Sequence, residues 1–181
     1  YKGIAVRLDE GPGGVSKGRA WLLYDHDTMR VAAGWTGRGF VDWRGIAFDG
    51  SHGTHTSIVG DRVFVNPVGP GWAHPETGSW EDDRFIGRDG KPYGPLPKEW
   101  LQYRGHRLYG SRLVVEYTVG STWIRETPGL EIVGGVETLT RTLNVGPNAD
   151  TLRLRVAPDS TAVAPLGGLV PGVNLTRDDG F

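Results

Sequence analysis

The chain contains no cysteine, so disulfides, thiolate zinc sites and covalent haem attachment through a CxxCH motif are all excluded within it. It also lacks a surplus of either charge: 20 Lys and Arg stand against 21 Asp and Glu, a formal net charge of −1. Nothing there draws a phosphate backbone, and nucleic acid is not an expected partner. No apolar run approaches the roughly 20 residues that cross a bilayer, so no membrane span is expected. No sustained helical period is present either, apart from a short turn expected at Pro97–Tyr103. The sequence opens at Tyr1 without a methionine or signal-like segment and closes on a polar stretch, 174–181. It reads as a processed or excised piece of something longer.

What is present is glycine, proline and strand alternation. The 29 glycines and 12 prolines in 181 residues point to many turns and little helix. Leu113, Val115, Tyr117 and Val119 share one face of SRLVVEYTV, with Arg112, Glu116 and Thr118 on the other. Leu152, Leu154 and Val156 alternate with Thr151, Arg153 and Arg155 in the same way. Period two with one polar face describes antiparallel strands over a core. Gly110-Ser111 and Gly120-Ser121 each sit between such runs, the pattern of a type II′ hairpin. Residues 105–109, 112–119 and 122–127 therefore form a predicted meander, with a further strand over 136–145 joined to another at 151–156. Strands are also expected near 3–8, 18–24, 29–36, 45–48 and 62–65, with Asp49-Gly50 as a turn. The fold class is all-β, a mostly antiparallel β-sandwich, in a single domain over 1–181. Leu113, Val115, Tyr117, Leu152 and Leu154 are expected inside, and Trp21, Trp35 and Trp123 are read as core.

Between Asn66 and Trp100 the periodicity stops, yet the segment carries Trp72, His74, Trp80, Tyr93 and Trp100 among six prolines and six glycines. A loop of that length is functional or disordered, and disordered segments are poor in aromatics. Packing against the sheet is expected. Trp43, Trp72, Trp80 and Trp100 are each either a binding platform or a loop anchor. Together with His52, His55, His74, Asp82, Asp83 and Arg84 they make up the candidate ligand-binding set, suited to stacking on sugar faces while charged groups take the hydroxyls. His52 and His55, spaced H-x-x-H, are able to share a metal with His74, but no carboxylate motif accompanies them and no metal is expected. Asp25-His26-Asp27 reads first as a turn, and Glu10–Gly14 lacks the lysine of a phosphate-binding loop. Glycosidase chemistry needs two carboxylates across a bond. Glu76, Glu81, Asp82 and Asp83 qualify by number only, and no catalytic residue is assigned.

Five blocks between residues 2 and 131 resemble an uncharacterised bacterial domain family, a domain of unknown function. They are KGIAVRLDEGPGGVSKGRAWLLYDHDTMRVAAGWTG, GFVDWRGIAFDGSHG, NPVGPGWAHPETGSW, DGKPYGPLP and RLVVEYTVGSTWIRETPGLE. The resemblance implies a large periplasmic or secreted multidomain protein that also carries c-type cytochrome and sugar-related modules. Any haem would belong to those neighbours, and no cofactor is expected in this chain. The leading reading is a non-catalytic accessory module that binds carbohydrate or docks neighbouring domains. Its alternatives are an enzyme with its site under the 66–100 loop, and a purely structural interdomain module.

Overall fold

The computed structural model describes residues 3–43, 56–148 and 150–177. The strands among them are β1 (Gly3–Arg7), β2 (Ala20–Asp25), β3 (Arg30–Thr36), β4 (Val41–Asp42), β5 (Ser57–Ile58), β6 (Asp61–Val65), β7 (Phe85–Ile86), β8 (Pro92–Tyr93), β9 (Leu101–Tyr109), β10 (Arg112–Val119), β11 (Thr122–Val133) and β12 (Val136–Val145). One sheet has the order β1-β2-β3-β6 and a second the order β12-β11-β10-β9, while β4–β5 and β7–β8 form short pairs. Every pairing is antiparallel. Leu22, Tyr24 and Val31 of the first sheet meet Leu113, Val115, Tyr117, Val119 and Ile124 of the second in one core. The expected all-β sandwich is the observed fold.

Turn chemistry sets the register of the second sheet. Tyr109 pairs with Arg112 and Val119 with Thr122, so each connection has two residues. Gly110 and Gly120 lie at φ 61° and 55° while Ser111 and Ser121 are not left-handed, which is the type II′ arrangement. β11 and β12 turn through Gly134-Gly135 and run on past β10 as a ribbon whose Leu139 reaches the core. Gly34 makes room for it: a Cβ there would stand 2.6 Å from the Leu139 side chain. On the outside of the first sheet Trp21 and Trp35 stack at 5.6 Å, with Phe40 against both.

Three expectations are corrected. Residues 151–156 do not extend the sheet. Leu154 makes one isolated bridge to Trp72, while Arg155 N donates to Gly71 O and Ala73 N to Arg153 O, both at 3.0 Å. The segment is a strap over the 71–73 stretch, and a strap hides one face of an alternating run as well as a strand does. Leu152 and Leu154 are accordingly half-buried rather than interior. The chain turns at Pro97–Trp100 and enters β9 at Leu101, so no helical turn reaches Tyr103. Met29 belongs to the turn before β3, at φ 48°. The strand expected at 45–48 and the turn at Asp49-Gly50 lie outside the described residues.

Candidate functional site

The 66–100 segment is pinned down by its own backbone. Arg30 Nη1 donates to Asn66 O at 2.6 Å and to Pro67 O at 2.7 Å. Asn66 Nδ2 donates to Val31 O, Gly71 N to Thr28 O and Leu96 N to Asp27 O. Trp72 and Trp100 are anchors: both rings are buried, Trp100 Nε1 donates to Trp72 O at 3.1 Å, and Trp72 Nε1 to the Tyr117 hydroxyl at 3.2 Å. Neither can present a face to a ligand. Arg84 is also buried, its Nε and Nη2 forking onto Asp82 at 2.8 and 2.7 Å. That hydrogen bond from Arg84 is the main reason the Asp82 carboxyl is held below its ordinary range. His74 closes a turn, its Nδ1 accepting from the Glu76 and Thr77 amides while its ring leans on Trp100. Trp80 is half-buried under the Arg155 guanidinium, 4.2 Å from the ring centre, and Asp83 is exposed. Trp43 is exposed but stands apart from this set on the β4 side. His52 and His55 lie outside the described residues. Among the described residues no three His, Asp or Glu side chains gather as metal ligands.

Beneath the loop the core holds an ion pair. Arg141 of β12 donates through Nε and Nη2 to the two oxygens of Glu126 at 2.6 and 3.0 Å, and the Tyr24 and Tyr117 hydroxyls each donate at 2.8 Å. Glu126 is fully buried. Burial alone would raise its pKa, but the Arg141 charge and the four donors outweigh burial and hold it low. Burial and the adjacent carboxylate push both tyrosines well above their ordinary value. These groups are sealed between the sheets, and the cluster is structural.

The outer face of the second sheet is different. Counting outward from the inward Val119 and Thr122, the outer-face side chains are Gln102, Arg104, Arg107 and Tyr109 on β9, Arg112, Val114 and the covered Glu116 and Thr118 on β10, and Trp123, Arg125 and Thr127 on β11. Asn144 and Thr142 continue the rows on β12. Trp123, expected in the core, is 50% exposed, with the Arg104 guanidinium 5.6 Å above its ring centre. Arg104 is the extra residue of a bulge: Glu116 pairs with Gly105 and Tyr117 with Tyr103. Glu116 lies low on the face and accepts from Arg107 Nε and Arg125 Nε, both at 3.0 Å, one arginine from each flanking strand. The sequence did carry the signal for Trp123. Once Gly120-Ser121 is a two-residue turn, the inward residues of β11 must be 122, 124 and 126, which sends 123 outward.

A β-sandwich with a loop folded into its core and one open polar-aromatic sheet face defines the class of this protein. Residues 22–126 match the model of the family described as Domain of unknown function (DUF6797), and the chain belongs to that family. The match runs from Leu22 of β2 to Glu126 of β11 and takes in the whole 66–100 loop. Comparison with curated proteins and with solved structures gives no match. Among the described residues no helix is long and apolar enough to cross a membrane.

Proposed function

We propose that this chain is a non-catalytic module that binds carbohydrate on the outer face of β9–β12, within a larger periplasmic or secreted protein. One observation carries the reading: a half-exposed indole, Trp123, lies on the same sheet face as Gln102, Asn144, Thr127 and Thr142. An aromatic ring stacks on the apolar face of a pyranose while amides and hydroxyls meet its edge. Trp72 and Trp100 have no such role, because their rings are inside, and the half-buried Trp80 has the Arg155 guanidinium over its ring. An enzymatic reading finds less support. Asp82 is engaged by Arg84 and Asp89 by the Tyr93 hydroxyl, and Glu76, Glu81 and Asp83 sit exposed. No cofactor enters this reading.

The docking alternative rests on the tip of the β11–β12 ribbon, where Ile132 and Val136 are 71% and 65% exposed. Titration against a polysaccharide panel separates the two. Trp123→Ala should weaken glycan binding by about 2 kcal/mol or more, roughly thirtyfold, as for a central aromatic contact. Trp80→Ala should leave it within about twofold, below 0.5 kcal/mol. Wild-type protein that binds no glycan would sink the reading in favour of docking.

A further inference from the structure

The charge on the Trp123 face departs from that of the chain. The whole molecule carries −1. On the outward side of β9–β11 four arginines, Arg104, Arg107, Arg112 and Arg125, face two glutamates, Glu116 and, at the far end of the ribbon, Glu131. One of those acids is already committed. Glu116 is 8% exposed and lies under the guanidinium groups of Arg107 and Arg125, whose side chains are each 63% exposed. A carboxylate that receives the Nε of each arginine tethers both side chains while leaving that of Arg125 63% exposed. Arg125 is two residues from Trp123 on the same strand face, about 7 Å along the strand. Arg104 reaches the same ring from β9. The face thus combines a stacking surface with planar cations from two strands, Arg104 of β9 and Arg125 of β11.

We propose that the ligand of this face is an acidic polysaccharide, a uronate-bearing chain whose ring stacks on Trp123 while its carboxylates are met by Arg125 and Arg104. The inference rests on the carbohydrate reading above and adds the ligand's charge. Guanidinium forks match carboxylates in two parallel hydrogen bonds, and a surplus of arginine on one face draws a polyanion from solution. A neutral glycan needs no such cations. Glu116 is a positioning residue here: it holds Arg107 and Arg125 upright and touches no ligand itself. A single-stranded nucleic acid is also a polyanion with stacking rings, which makes it the rival to be tested.

The experiment is calorimetric titration of the full chain with polygalacturonate, alginate and hyaluronate, with fully methyl-esterified polygalacturonate, with neutral glycans, and with poly(U). The expected result is binding to at least one polyuronate that weakens about tenfold or more in Arg125→Gln, as for loss of a charge-assisted contact. Raising the salt from roughly 0.05 to 0.5 M should weaken it too, through screening of exposed charges. Glu116→Gln adds a net positive charge to the face yet should lower affinity, because Arg107 and Arg125 lose the carboxylate that tethers them, and unchanged or tighter binding removes the positioning role. Unchanged thermal melting of Arg125→Gln, whose side chain is exposed, separates loss of a contact from loss of fold. Equal binding of a neutral or esterified glycan overturns the acidic ligand and leaves the carbohydrate reading standing. Silence across all glycans overturns both, and tighter, Trp123-dependent binding of poly(U) assigns the face to nucleic acid instead.

Discussion

Glu126 collects four donors inside the sandwich, and each has a cost if it is left alone. Replacing the carboxylate with an amide keeps the shape but strands the buried Arg141 charge. Glu126→Gln should therefore lose about 3–5 kcal/mol of unfolding free energy, read as a lower urea midpoint with the slope unchanged. The acid limb follows from the same group. A carboxylate held below its ordinary 4.5 in the folded state contributes stability that is full above that value and disappears as pH falls through the lower folded one. Asp9 adds to the same limb: burial pushes it up, but the Arg19 and Ala20 amides and Arg7 more than compensate. Stability of the wild type should thus decline in acid below about pH 4.5, and Glu126→Gln should flatten that decline.

The 66–100 loop shows how sequence composition translates into packing. Its prolines and tryptophans announce an ordered segment, and order is what forms. They do not announce which way each indole points, because a loop has no period from which to count faces. Trp72 anchors the loop for a reason outside the loop: the Tyr117 hydroxyl and the strap's Leu154 meet it there, and Trp100 then bonds to the Trp72 carbonyl. Strand residues were more legible. Alternation placed Leu113, Val115 and Tyr117 inside as found, and the two-residue hairpins fixed register. The outer face of the second sheet was written in the same alternation, but an aromatic in a strand run reads as core until its parity is counted. Gly71 marks a close approach of the loop to the sheet, where an added Cβ would stand 2.5 Å from Met29 O and 2.6 Å from the Arg30 backbone. Gly71→Ala must push backbone rather than a flexible side chain, and should cost about 1–3 kcal/mol in a thermal or urea melt.

Taken whole, the molecule is two four-stranded sheets closed at one side by the loop and strapped by the segment after β12. Asn66 Nδ2 donates to Val156 O at 3.2 Å and Ala157 is buried, but beyond them Val163, Leu166, Leu169, Val170, Val173 and Leu175 are all exposed. The strap and the stretch that follows it should separate cleanly under truncation. A chain ended after Asp159 should melt at the wild-type temperature within about 2 °C, a shift worth less than 1 kcal/mol at this size. A chain ended after Gly146 loses the half-buried Leu152 and Leu154 with their partners on 71–73, and should melt about 5–10 °C lower. Equal melting of the two would mean that the strap adds nothing.

The Glu126 cluster has one more consequence, for how the chain finds its fold. Its donors arrive from β2, β10 and β12, and the Tyr117 hydroxyl is itself met by the loop through Trp72. No local hairpin contains that set. A slip of one sheet against the other, tolerable for Leu on Val, would leave Arg141 and Tyr117 on Glu126, since all three belong to the second sheet, but would strand the Tyr24 hydroxyl in a dry interior. The Tyr24 bond to Glu126 thus registers the first sheet on the second, satisfied by one alignment of distant segments and penalising its near neighbours.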